Sequence, residues 1–193
     1  MLSAIGTIPN VISFIRILLA PGIITMGSLD HPHWFLGVYA GSLLTDFLDG
    51  FLARLLHQQS KLGSQLDTIG DVMTGIAVMI GGYLIWPEVI RGEVLGFLMI
   101  LLMLAISGSV TLFTYHHLPS YHTWCAKLST IILGVGTWVL FAGISPWVFR
   151  AGVVILVISA LEEIAITLLL PNWQPSVPHI FRALELRKKP SED

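Results

Sequence analysis

Residues 46–71 read DFLDGFLARLLHQQSKLGSQLDTIGD, and this segment governs how the rest of the chain is read. Residues 46–56 are apolar apart from Asp46, Asp49 and Arg54. Its second half leads Asp67 and Asp71 into an apolar run that is clean from Val72 to Trp86. On a helix, Asp46, Asp49 and Ala53 stand at i, i+3 and i+7 and share a face, while Asp67 and Asp71 stand at i and i+4 on the next helix. The turn between them holds Ser60 and Gly63, so the two helices can run antiparallel and bring both acidic faces together. Four carboxylates at one spot carry a formal charge of -4, which protons or cations must neutralise. Two divalent cations supply that charge, and carboxylate oxygens are the ligands that Mg²⁺, Mn²⁺ or Ca²⁺ prefer. No Cys/His set at zinc spacing competes. Gly50, Ala53 and Gly63 interleave the acids. Small residues there either let helices touch or leave room for a ligand, and beside four acids and Arg54 the ligand cavity is favoured. Arg54 suits the oxygens of a phosphate; the alternative is a salt bridge that holds the aspartates.

Outward from this segment, the chain is built for lipid. Its 193 residues are 54% hydrophobic and 11% charged, with a mean hydropathy of +0.81. A soluble domain carries about a quarter charged residues, so an ordinary cytosolic enzyme and a disordered or nucleic-acid-coating chain are both excluded. A spanning helix needs roughly 20 apolar residues. Charge-free runs then predict six spans: about Val11–Leu29, Trp34–Leu56, Asp67–Trp86, Val94–Tyr115, Leu128–Ala142 and Pro146–Leu170. The fold class expected is all-α integral membrane, with six transmembrane helices in one bundle and a polar cavity open to the cytoplasmic side. A single membrane domain covers residues 1–193, with a short N-terminal segment (1–10) and a cytoplasmic tail (171–193). The spacings Gly92-x-x-x-Gly96 and Gly134-Val135-Gly136 fit close helix packing. The N-terminus lacks a basic n-region and a small-residue cleavage site, so no cleaved signal peptide is expected. With six spans, eight of the ten lysines and arginines fall on the side of the termini, Arg91 and Arg150 on the other, which argues for cytoplasmic termini. A net charge of -2 implies no attraction to nucleic acid, and the single cysteine, Cys125, reads as a packing residue.

The segment 46–71 also resembles a known family. It fits the pattern D-x2-D-G-x2-A-R-x8-G-x3-D-x3-D at every fixed position, which is the signature of the CDP-alcohol phosphotransferases. The family has six membrane helices. Its members often open with Ile-Pro-Asn and an Arg in the first span, as Ile8-Pro9-Asn10 and Arg16 do here. Many carry Gly-Lys-x-x-Thr before the fifth span, where this chain reads Ala126-Lys127-Leu128-Ser129-Thr130 and departs at the first position. The resemblance, over residues 5–170, implies a two-metal centre (Mg²⁺ or Mn²⁺) on Asp46, Asp49, Asp67 and Asp71, with Asp71 also the general base. It implies contacts to the CDP part from Gly50, Ala53, Arg54, Ser60 and Gly63, and from Asn10 and Ser13 ahead of and within the first span.

The activity so implied is transfer of a phosphatidyl group from CDP-diacylglycerol to a small alcohol with release of CMP, in phospholipid biosynthesis. The enzyme is then a multi-pass protein of the bilayer (the inner membrane in a bacterium), with a cytoplasmic active site and a homodimer as its common state. Glycerol 3-phosphate is the first acceptor to test, because Lys127, and Arg16 with it, offer cations to an anionic acceptor. Serine, inositol phosphate, another lipid or a CDP-choline- or CDP-ethanolamine-type donor stay open. Two rivals stand apart. An intramembrane prenyltransferase also uses Asp-rich motifs but leaves Asp-Gly-x-x-Ala-Arg unexplained; a cation or proton transporter would spread its acids through the membrane depth. Glu162 and Glu163 lie inside the sixth span, where an acid is a functional candidate. Either one pairs with a cation of the bundle, or one borders the acceptor pocket. His116, His117 and His122 read as solvated loop residues, and the tail from Arg182 to Lys189 as a partner for anionic headgroups.

Overall fold

The computed structural model describes residues 7–58, 60–115 and 124–169. His116, His117, His122 and the basic tail lie outside the described residues. Among these residues seven helices follow in order: α1 (Ile8–Ser28), α2 (Pro32–Leu55), α3 (Lys61–Ile85), α4 (Pro87–Gly92), α5 (Val94–Tyr115), α6 (Trp124–Phe141) and α7 (Trp147–Leu169). Among the described residues there is no strand. Among the described residues, five helices are long and apolar enough to cross a membrane: α1, α2, α3 from Gln65, α5 to Thr111, and α7. α6 is apolar but shorter; its 18 residues rise about 27 Å, slightly less than the roughly 30 Å of a hydrocarbon core.

Local chemistry sets the helix ends. α1 stops because Asp30 turns to φ 54°, its N–H bonding to Gly27 O and that of His31 to Met26 O. α2 closes the same way, with His57 at φ 53° and bonds from His57 N to Arg54 O and Gln58 N to Ala53 O. α6 does so with Gly143 at φ 70°. This two-bond cap satisfies carbonyls that a helix end otherwise leaves bare. α3 starts six residues before the Asp67 expected from the apolar run, because Ser60 caps it. The Ser60 hydroxyl accepts from the Gly63 N–H at 2.9 Å. Ser60→Ala should therefore lower stability by about 1 kcal/mol, read as a lower melting temperature of the detergent-solubilised protein; an unchanged value would sink the cap assignment.

The chain divides into two compact units, Met1–Gly92 and Glu93–Asp193. In the first, α1 is the central element. It packs along both α2 and α3, which touch one another only sparsely. α1 and α3 run parallel, pressed together through small residues of α3 (Gly63, Gly70, Ala77, Gly81) at heptad-like spacing. At the closest crossing, a Cβ on Gly27 would lie 2.5 Å from Gly81 Cα. Phe35 of α2 lies over Gly81 and meets Trp86 edge-on at 5.4 Å.

The second unit is built around Phe149, fully buried, with Phe97 at 4.8 Å. A Cβ on Gly96 or Gly136 would strike Phe149, while one on Gly92 would meet no other described element within 4 Å. Among the described residues, packing uses the second glycine of the expected Gly92-x-x-x-Gly96 pair. Glu163 accepts a hydrogen bond from the Ser107 hydroxyl at 2.6 Å. Cys125 is a free, half-buried thiol. The outer faces of both units are apolar: Leu18, Ile76, Leu95, Phe113, Ile131 and Leu168 all stand exposed. Exposed apolar surface on this scale suits lipid, not water, and the chain is a multi-pass membrane protein.

Candidate functional site: an acidic cluster around Arg16

The site lies in the first unit, and α1 makes it. Ser13 and Arg16, one turn apart, point from α1 at the acids of α2 and α3. The Arg16 side chain is 1% exposed and its guanidinium reaches all four aspartates. Nη1 donates to Asp46 Oδ1 and to Asp71 Oδ1 at 2.9 Å. Nη2 donates to Asp67 Oδ1 at 2.5 Å, to Asp49 Oδ2 at 3.3 Å and to the Asp67 carbonyl at 3.3 Å. The Ser13 hydroxyl donates to Asp49 Oδ2 at 2.7 Å. Two helices with sparse mutual contact thus converge on one point through a third.

Burial is graded across the cluster. The Asp49 side chain is 6% exposed, Asp46 32%, Asp67 44% and Asp71 51%. Asp49 is thus the innermost member of the cluster, and Asp67 and Asp71 are the outermost. One carboxylate oxygen each from Asp46, Asp49 and Asp67 lies within 4.8 Å of the others. One arginine against four carboxylates leaves a formal charge of -3. Hard oxygen donors with that excess of negative charge fit divalent Mg²⁺ or Mn²⁺. Next to the acids, Ser42 and Thr74 exchange a hydroxyl hydrogen bond at 3.2 Å across α2 and α3.

Of the other expected site residues, Asn10, Ser60 and Gly63 come together, while Gly50, Ala53 and Arg54 lie along α2. Asn10 is buried, and a Cβ on Gly63 would meet its Oδ1 at 2.7 Å. Ser60, Gly63 and Asn10 therefore form one corner where α1 meets the start of α3. Arg54 is exposed, its guanidinium lying over Gly50 at 3.7 Å from where a Cβ would be. The cation that holds the aspartates is Arg16 rather than Arg54. Ala53 is half-buried on α2. Lys127 lies in the second unit, on α6. Arg16, expected to face an anionic acceptor, has both terminal nitrogens on carboxylates.

One residue of the site was not anticipated. A Cβ on Gly70 would lie 2.7 Å from Arg16 Nε and 3.2 Å from its Cζ, so Gly70 is the seat of the guanidinium. Its position directly before Asp71 in Asp67-Thr-Ile-Gly70-Asp71 was the available signal.

The chain is 43% identical over 83 residues to a CDP-diacylglycerol–glycerol-3-phosphate 3-phosphatidyltransferase of Cereibacter sphaeroides, a match covering 40% of this chain and 38% of that protein. A protein of the same name from Pseudomonas fluorescens is 36% identical over 77 residues, 38% of this chain and 40% of its own length. The human cardiolipin synthase (CMP-forming) is 49% identical over 69 residues, 34% of this chain and 22% of that protein. The chain thus spans about two fifths or less of the length of these curated relatives. No solved structure matches. Residues 6–174, most of both units, match the family described as CDP-alcohol phosphatidyltransferase, and the chain belongs to that family.

Proposed function

We propose that this protein transfers a phosphatidyl group from CDP-diacylglycerol to an alcohol, releasing CMP. The observation that carries the reading is the convergence of Asp46, Asp49, Asp67 and Asp71 around one point in a chain of this family. In the reaction the alcohol oxygen attacks the phosphatidyl phosphorus, and the bond from that phosphorus to the CMP oxygen breaks. Asp46, Asp49, Asp67 and Asp71 would hold two divalent cations, Mg²⁺ or Mn²⁺, whose charge neutralises the diphosphate oxygens. Asp71, the most exposed of the four, takes the alcohol proton as general base. Gly50, Ala53 and Arg54 receive the CDP part on α2, with Arg54 giving a fork of donors to phosphate oxygens. Asn10, Ser13, Ser60 and Gly63 line it from α1 and α3.

Glycerol 3-phosphate is the first acceptor, with Lys127 as the partner of its phosphate; the names of the Cereibacter and Pseudomonas relatives support this choice. A lipid alcohol is the second, supported by the name of the human relative. The chain is one six-span domain, with α6 as the short fifth span, cytoplasmic termini and site, and a homodimer as the working state. In a bacterium it would occupy the inner membrane.

The test is an acceptor panel. Purified protein with Mg²⁺ or Mn²⁺ and labelled CDP-diacylglycerol should release CMP with one alcohol and not with the rest, and mass analysis should find the matching lipid. EDTA should abolish release. A panel without CMP release refutes the proposal; turnover of a prenyl diphosphate, or metal-dependent flux into liposomes without CMP, would replace it with a prenyltransferase or a transporter.

A further inference from the structure

We propose that Arg16 is a built-in counter-cation. It keeps the four aspartates assembled when divalent cations are absent and competes with those cations for the same carboxylate oxygens. The inference rests on reading the cluster as a divalent-cation site. Three observations carry it. The guanidinium touches all four carboxylates, including Asp46, Asp49 and Asp67, whose oxygens come together with metal-binding spacing. The arginine is almost wholly buried, and a glycine is placed where any side chain would strike it. Its Nε–H, buried, has no hydrogen-bond partner among the described residues. A buried donor left unpaired is costly, so the seat is organised around the terminal fork and the charges it faces.

Four carboxylates on two helices repel one another, and those helices have few direct contacts to hold them. A planar fork satisfies several carboxylates at once; a lysine ammonium is a point charge and does not. An oxygen that accepts from Arg16 shares its lone pairs with that N–H, and a cation bound there faces a positive neighbour. Arg16 is thus a positioning residue: it trades cation affinity for an assembled site.

The experiment is a Mn²⁺ titration of purified protein in detergent, followed by electron paramagnetic resonance, with thermal melting in EDTA and in excess Mn²⁺. Arg16→Gln removes the competing charge, and its Mn²⁺ affinity should rise roughly ten-fold over the parent. Its melting temperature should fall in EDTA and recover with Mn²⁺, a larger metal-induced rise than the parent shows. Arg16→Lys should fall between the two. Equal or weaker Mn²⁺ binding in both variants overturns the inference while leaving the cation site standing. Should Arg16→Gln fail to fold with and without Mn²⁺, the lysine variant decides, and parental affinity in it overturns the inference. A parent that binds no Mn²⁺, with Asp46→Asn behaving identically, refutes the cation site and the inference together.

Discussion

Asp71→Asn should reduce CMP release by about a thousandfold or more while leaving the protein folded. Asparagine keeps the shape of the side chain but loses both the charge and the basicity. If Asp71 accepts the alcohol proton, removing it forfeits a general-base contribution of roughly 10²–10⁴-fold, and a cation ligand goes with it. The fold should survive because Arg16 retains its contacts to Asp46, Asp49 and Asp67 and because Asp71 is the most exposed member of the cluster. The measurement is CMP release at saturating Mg²⁺ or Mn²⁺, alongside a melting curve. Activity within a few-fold of the parent would remove Asp71 from the chemistry; a large fall in melting temperature would turn its role into a structural one.

Gly27→Val should destabilise the first unit by about 3 kcal/mol, a drop on the order of 10 °C in melting temperature. The atoms in the way are the backbone of α3: Gly81 Cα at 2.5 Å and Gly81 O at 2.8 Å from the added Cβ. Backbone cannot rotate aside as a side chain can, so α1 must lift off α3. Because α1 carries Ser13 and Arg16, catalysis should fall with stability although the substitution is far along the helix from the acids. Gly41→Ala is the matching control. Nothing lies within 4 Å of its Cβ, and the exchange of glycine for alanine in a helix should be neutral or stabilising by up to about 1 kcal/mol. Equal behaviour of the two variants would show that the Gly27–Gly81 crossing does not hold the unit together.

Much of the molecule was legible from composition and spacing. Runs without charge located the five long helices and the shorter α6 to within a few residues, except where Ser60 started α3 early. A capping hydroxyl in a polar turn adds a helical turn or more that an apolar-run criterion does not count. The acidic faces were legible too, because i, i+3 and i, i+4 place side chains together on any helix. The stripe Gly63, Gly70, Ala77, Gly81 was present in the sequence as well, but a small residue signals packing only once the facing helix is known.

The sequence by itself determined that this chain belongs in a bilayer and that four aspartates occur in two local pairs, since both follow from composition and helical period. Only the tertiary structure decided what joins the pairs. The acids of α2 and α3 meet through α1, which lies along both, and the cation among them comes from Arg16, at least thirty residues away in the chain. The physical reason is that helical period fixes which residues share a face of one helix and says nothing about which third helix lies against it. That choice belongs to shape, and here glycines on α3 let α1 come close enough for its arginine to reach every carboxylate.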